Sequence, residues 1–195
     1  MPNSAEQTPP RKSLLGLRRR PLLMPVWLTL LLPVAILAVG AWLWSLPTTT
    51  TVIVLRHAEK ELGTIDDPPL STAGEQRAQE LARMFGDTAT PSRIDAIFIS
   101  DTRRSAQTAA PLAQRLRLTP EIYAARDIDA LIGRIHSAHR GRTTLVIGHS
   151  NTVPEIVQRL APEFSVPAMG ENEYDAIFVI SVPTVGPARV LRFRY

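Results

Sequence analysis

TVIVLRH, residues 51–57, joins an uncharged, largely β-branched run to an arginine and a histidine. Runs of this kind form strands that are buried inside parallel sheets, so Thr51–Leu55 is predicted to be such a strand. Arg56 and His57 then follow its carboxyl end directly. Because ligands bind outside the carboxyl ends of strands in open parallel sheets, both residues stand where a ligand site is expected.

Strand and helix patterns alternate through the rest of the chain. This alternation predicts a three-layer α/β/α sandwich with a mostly parallel sheet. The predicted strands are 51–55, 95–100, 121–124, 143–147, 175–182 and 188–193. The predicted helices are 71–85, with Ser71 as cap and Gly86 as stop, 101–116, kinked or split at Pro111, 127–138, and one that has Pro154 in its first turn.

The N-terminal part has a different composition. Residues 1–20 carry five basic side chains against Glu6, which accounts for the whole net charge of +4, and residues 21–55 contain no charged side chain. The segment 21–47 is predicted to be a single transmembrane helix, because about 20 apolar residues span a bilayer. A cleaved signal peptide is the alternative, with small residues at Ala38 and Gly40. The predicted domains are a basic tail (1–20), this anchor (21–47) and a folded domain (48–195).

The charge distribution also predicts topology and partners. The positive-inside rule places the basic tail in the cytoplasm and the folded domain outside it, in the periplasm if the protein is bacterial. Protection of the C-terminus from external protease would contradict that orientation. The remaining 175 residues are formally neutral, so no nucleic-acid partner is expected. The absence of cysteine excludes disulfides and thiolate chemistry, and the oligomeric state is left open.

Two arginines and two histidines are expected at one rim of the sheet. Arg56 and His57 follow the first strand, Arg104 follows the second, and His149 follows the strand 143–147. Guanidinium groups match phosphate oxygens, and a neutral imidazole is a nucleophile toward phosphorus. A second histidine, if protonated, adds a donor to the phosphoryl oxygens. The set favours phosphoryl transfer without a metal, because two arginines repel a cation and no carboxylate cluster accompanies them.

Four ordered motifs resemble the histidine phosphatase superfamily, also called the phosphoglycerate mutase-like family. They are Leu55-Arg56-His57-Ala58-Glu59-Lys60, Pro69–Gly74, Ser100–Ala109 and Gly148–Thr152, and the resemblance covers about residues 50–181. It implies that His57 is the nucleophile that becomes phosphohistidine, with Arg56, Arg104 and His149 completing the phosphate-binding pocket. It also implies a small phosphorylated substrate and no cofactor.

The proton donor is not specified by these motifs. Asp127, after the third strand, is the candidate general acid, and a helix cap is its alternative reading. Glu59 is a second candidate, which could instead orient Arg56 or its loop. The acid phosphatase and phytase branch has an aspartate directly after the second histidine, where this chain has Ser150.

The function predicted from these residues is hydrolysis of a phosphomonoester. By resemblance to the periplasmic lipopolysaccharide core heptose phosphatases of the family, an envelope sugar phosphate is the expected substrate. The alternatives are a phosphohistidine or phosphoprotein phosphatase, a mutase, and an inactive phosphate-binding module. Three other groups have simpler explanations: a turn for Asp66-Asp67, a solvated helix face for His136 and His139, and an edge or a pocket mouth for Glu171, Glu173 and Asp175.

Overall fold

The computed structural model describes residues 26–44, 48–63, 66–86 and 94–195. The chain divides into two units, 1–46 and 47–195, which are treated separately. In the first unit, helix α1 covers Val26–Trp44. Among the helices of the described residues, none is both long and apolar enough to cross a membrane. The predicted transmembrane anchor over 21–47 is therefore not supported. Both ends of that segment, residues 21–25 and 45–47, lie outside the described residues, as does the basic tail 1–20. The extracytoplasmic location stays a prediction.

The second unit is built on one mixed sheet of six strands, in the order β3-β2-β4-β1-β5-β6. The strands are β1 (Thr49–Arg56), β2 (Ala96–Ser100), β3 (Glu121–Tyr123), β4 (Thr143–Gly148), β5 (Ala176–Pro183) and β6 (Arg189–Arg194). The first four are mutually parallel, while β5 and β6 are antiparallel to their neighbours. The predicted α/β class is confirmed, with an antiparallel pair along one edge.

Helices cover both faces of this sheet. They are α2 (Thr72–Phe85), α3 (Arg103–Leu116), α4 (Ile128–Ala138) and α5 (Thr152–Leu160). The odd residues of β1, such as Ile53 and Leu55, pack with the buried residues of α2 and α3, whereas Val52 and Val54 pack with those of α4 and α5. Successive side chains of β1 thus point to opposite faces of the sheet and pack into two separate hydrophobic cores. This explains why the whole run 52–55 is apolar.

Helix α3 runs past Pro111 as one element, so of the two predicted effects of this proline the split was wrong and the kink stays a prediction. Proline removes one helical hydrogen bond. Ala109 and Leu112, on either side of it, are buried in the core beneath the helix, and this packing outweighs the lost bond. The Ser71 cap of α2 is as predicted, since the Ser71 hydroxyl accepts the Gly74 amide hydrogen at 3.2 Å.

Candidate active site

The register of β1 and β4 brings the two histidines side by side. Arg56 pairs with Gly148 at the ends of these parallel strands, and the His57 amide donates to the Gly148 carbonyl at 2.9 Å. His149 directly follows the end of β4, and the two imidazole centroids lie 5.2 Å apart. The predicted convergence at the carboxyl ends of the strands is therefore what the topology produces.

His57 has one ring nitrogen anchored and the other directed at a neighbour. Its Nδ1 lies 2.7 Å from the Ala58 carbonyl. A carbonyl can only accept, so Nδ1 carries the proton and Nε2 keeps its lone pair. Burial is the main cause that lowers the pKa of His57 to about 3, against the opposing bond to Ala58. The ring is therefore neutral at pH 7, the form that nucleophilic attack on phosphorus requires.

Arg104 links both imidazoles. Its Nε donates to His57 Nε2 at 3.1 Å, and its Nη2 lies 3.4 Å from His149 Nδ1. The arginine comes from the first turn of α3, which follows β2 directly. A phosphoryl group approaching His57 Nε2 would meet the donors of this guanidinium at once.

His149 is held in a defined tautomer. Because a guanidinium only donates, Nδ1 is the acceptor, and the ring proton lies on Nε2, which donates to the Ser100 hydroxyl at 2.8 Å. Ser100 closes β2 and also contacts Ser105 at 2.6 Å. Burial, followed by the charge of Arg104, lowers the pKa of His149 to about 4. The second histidine is thus neutral at pH 7 in the free protein, whereas the sequence had allowed a protonated one.

Arg56 lies under the loop 170–174. Its Nη1 donates to the carbonyls of Gly170 and Glu171, each at 2.9 Å, and its guanidinium carbon lies 4.1 Å from the ring centroid of Tyr174. The Arg56 Nε is buried without a hydrogen-bond partner in the described part of the chain. An unpaired buried donor is costly, so this atom is available to an incoming oxyanion.

The two candidate acids lie in different surroundings. Glu59 is held by Arg77 through bonds of 2.7 to 2.9 Å. Burial, the largest single cause, raises the pKa of the Glu59 carboxyl, but the hydrogen bonds from Arg77, a backbone hydrogen bond and the charges of Arg77 and Arg56 together lower it. Asp127 is exposed at the N-cap of α4, where its carboxylate accepts the Ala130 amide hydrogen at 3.0 Å. These contacts are those of a helix cap, which was the alternative role predicted for Asp127.

Asp67 and Tyr174 are site residues that the sequence reasoning missed. The Asp67 carboxylate accepts from Arg104 Nη1 at 3.1 Å, although a turn role was expected for it. Tyr174 covers Arg56 and lies 6.0 Å from the His57 ring. A cleft of about 610 Å³ adjoins Tyr174 and is lined by the loop 170–175 with Arg77, Arg194 and Tyr195. The sequence did hold a signal for Asp67, because this residue stands two positions before the Pro69–Gly74 motif. No sequence signal pointed to Tyr174.

Glu171, Glu173 and Asp175 line this cleft, but none of the four predicted phosphate-binding residues does, so a role for the three carboxylates at the mouth of the phosphate pocket stays a prediction. Glu173 pairs with Arg192 and Arg194 of β6, which agrees with the predicted edge role. His136 is exposed on α4, as expected, whereas His139 is largely buried against the Phe98 ring.

Comparison with known proteins finds one matching family model and several structures of similar fold. Residues 52–127 match the model of the histidine phosphatase superfamily, branch 1, a range that contains Arg56, His57 and Arg104. The solved structure of the protein histidine phosphatase SixA complexed with tungstate aligns with a TM-score of 0.61 at 20% identity, covering 74% of this chain and 96% of that one. A mycobacterial glucosyl-3-phosphoglycerate phosphatase aligns with a TM-score of 0.56 at 16% identity, covering 75% and 98%. Comparison with curated proteins finds no match.

Proposed function

We propose that this chain is a phosphatase of the histidine phosphatase superfamily, whose family model matches residues 52–127, and that it hydrolyses a phosphomonoester without a metal, through a phosphohistidine on His57. The observation that carries this proposal is the arrangement of His57, whose Nδ1 is bonded to the Ala58 carbonyl while Nε2 faces the Arg104 guanidinium. A fixed tautomer with its lone pair beside a phosphate-binding group is what a nucleophile toward phosphorus needs.

The proposed reaction has two displacements. In the first, His57 Nε2 bonds to phosphorus, the bond from phosphorus to the leaving oxygen breaks, and that oxygen takes up a proton. In the second, water attacks the phosphohistidine, the P–N bond breaks, its electron pair returns to Nε2, and inorganic phosphate leaves. Arg104 and Arg56 supply donors to the phosphoryl oxygens in both steps, and His149 contacts the Arg104 guanidinium through Nδ1.

The leaving oxygen in the first step needs a proton donor. Asp127 stays the candidate for the general acid, after a strand that ends on the same rim. Glu59 is disfavoured, because its ion pair with Arg77 holds it as a carboxylate. A leaving group that is stable as an anion would need no acid.

Two substrate classes have support from specific observations. The polar cleft beside Tyr174, with arginine and carboxylate side chains in its lining, suits a hydroxyl-rich leaving group, which favours a sugar phosphate. The open rim favours a phosphohistidine protein instead, since the chain between Arg104 and His149 forms only the rest of α3, β3, α4 and β4, with no covering domain. The same short connection disfavours a mutase. Turnover measured on phosphosugars and on a phosphohistidine peptide would separate the two classes.

Trapping the intermediate tests the nucleophile. The protein is mixed with a ³²P-labelled phosphate donor and quenched in alkali, where phosphohistidine survives and acid treatment releases it. We expect label on the wild-type protein and on the control His136→Ala, whose histidine is exposed on α4, but none on His57→Ala. Acid-labile label retained by His57→Ala would refute the assignment, and complete absence of turnover would favour a phosphate-binding module.

A further inference from the structure

Asp67 is the carboxylate that contacts the phosphate pocket within the described residues. Its Oδ1 accepts from Arg104 Nη1 at 3.1 Å, and its Oδ2 accepts from the Arg103 backbone amide at 2.8 Å. The two carboxylate oxygens therefore bind the first turn of α3 at two successive residues. The Asp67 side chain is 48% exposed and that of Arg104 is 18% exposed, so the pair lies at the pocket mouth.

The cap of α3 explains why this carboxylate is needed. Thr102 occupies the N-cap position but makes no side-chain cap bond, because its hydroxyl is engaged with Ser100 and Ser105. Free amides at a helix start attract an acceptor, and a carboxylate is the favoured one. Asp67 supplies it from another segment of the chain.

The loop that carries Asp67 is closed at its base. Lys60 and Leu70 form an antiparallel bridge, and the Glu61 amide donates to the Pro69 carbonyl at 2.9 Å. The Leu70 amide donates to Gln107 Oε1 at 2.9 Å, which ties the same base to α3. The backbone that delivers Asp67 is thus anchored to the helix that delivers Arg104.

We propose that Asp67 is a positioning residue for the phosphatase reaction, which turns the Arg104 guanidinium so that Nε and Nη2 face the two histidines. With Nη1 held by Asp67, the remaining donors point at His57 Nε2 and His149 Nδ1. Those are the directions from which a phosphoryl group on Nε2 would be contacted. The inference rests on the proposed function and assigns this residue a role in it.

The proposal predicts a split between turnover and binding. In Asp67→Ala, Arg104 keeps its charge and still attracts phosphate, but its orientation is no longer set. Because misplacement by about 1 Å can cost about 100-fold in rate, we expect kcat to fall about 10- to 100-fold. The dissociation constant for inorganic phosphate, measured by calorimetry, should not rise, since a negative charge has been removed beside the anion.

A double-mutant cycle isolates the action through Arg104. Single-turnover formation of phosphohistidine is measured for the wild type, Asp67→Ala, Arg104→Ala and the double variant, with Asp66→Asn as the control at the exposed neighbouring position. We expect Asp67→Ala to cost less than about twofold in the Arg104→Ala background, because coupled residues are not additive. An equal loss in both backgrounds overturns the proposal.

Leaving-group dependence separates positioning from acid catalysis. Positioning predicts the same loss on an aryl phosphate and on an alkyl phosphate, whereas a proton donor would matter for the alkyl phosphate alone. A loss confined to the alkyl phosphate refutes positioning. If the wild type forms no phosphohistidine, it is the proposed function that fails, so the two failures are distinguishable.

Discussion

The charge of the phosphate pocket depends on a few single side chains. Burial holds the pKa of His57 near 3 and that of His149 near 4, so both rings are neutral at pH 7. The positive charge that faces a phosphoryl group therefore comes from Arg104 and Arg56. Neutral imidazoles beside two guanidiniums combine a nucleophile with charge stabilisation, without a competing proton on His57 Nε2.

Tyr174 is expected to keep Arg56 in place through its ring. The ring centroid lies 4.1 Å from the guanidinium carbon, and such contacts contribute about 0.5–2 kcal/mol. Replacing Tyr174 with alanine should therefore raise the KM for an aryl phosphate about three- to tenfold. Tyr174→Phe, which retains the ring, should stay within about twofold of the wild type. Equal effects of the two variants would show that the hydroxyl, and not the ring, matters.

Topology made part of the site predictable. Residues that follow parallel strands meet at one edge, so the meeting of His57, Arg104 and His149 could be inferred from β1, β2 and β4. Tyr174 could not, and Asp67 was indicated only by its place before the Pro69–Gly74 motif, because the positions of both depend on loop paths that follow from tertiary contacts. The Asp67 contacts, for example, require a cap that Thr102 leaves open.

The first turn of α2 packs directly on the loop that follows the nucleophile. A Cβ added at Gly74 would lie 2.1 Å from the Glu59 carbonyl oxygen. That oxygen also accepts the Ser71 amide hydrogen at 2.9 Å, so it cannot move freely. Close backbone approach at this position therefore requires glycine.

Gly74→Ala should be destabilising and should lower activity. Overpacking costs about 1–3 kcal/mol, and the displaced Glu59 backbone lies two residues from His57. The matched control is Gly133→Ala in α4, where an added Cβ meets nothing within 4 Å. We expect this control to be stabilising by about 0.5–1 kcal/mol, with activity unchanged. Urea denaturation measures the stability of each variant, and turnover of an aryl phosphate measures its activity. A Gly74→Ala protein as stable as the Gly133→Ala control would contradict the packing argument.

Elements were predictable to within about two residues where the pattern was strong. The apolar period set β1, β2 and β4, and capping residues set both ends of α2. The continuity of α3 through Pro111 was not predictable, because it depends on buried contacts made by neighbouring residues. The antiparallel direction of β5 was not specified either, since a strand pattern carries no direction.

The net charge of the whole chain says little about its pocket. The excess of +4 belongs to residues 1–20, and the rest is neutral. Within the folded unit, several arginines are paired with carboxylates, as Arg77 is with Glu59 and Arg194 with Asp175. Function depends on where a few guanidiniums are held, which a global pI does not report.

The stability of the whole domain should depend on pH through His57. Its folded-state pKa of about 3 lies below the ordinary value of 6.5. As pH falls below 6.5, the unfolded chain binds a proton there and the native state does not, so stability is present above pH 6.5 and lost toward pH 3. The slope is up to about 1.4 kcal/mol per pH unit. His149, which is partly exposed, adds a smaller contribution of the same sign.

Comparing the wild type with His57→Asn isolates this contribution from that of the carboxylates. The free energy of unfolding, measured in urea at pH 7.5, 6.0 and 5.0, should fall less steeply with decreasing pH for His57→Asn than for the wild type. The stability of the variant relative to the wild type should therefore increase as the pH decreases. The control His136→Asn, at an exposed position on α4, should follow the wild-type slope. Parallel lines for His57→Asn and the wild type would mean that His57 titrates alike in both states. The inference that His57 is buried and neutral, on which its assignment as the nucleophile depends, would then be wrong.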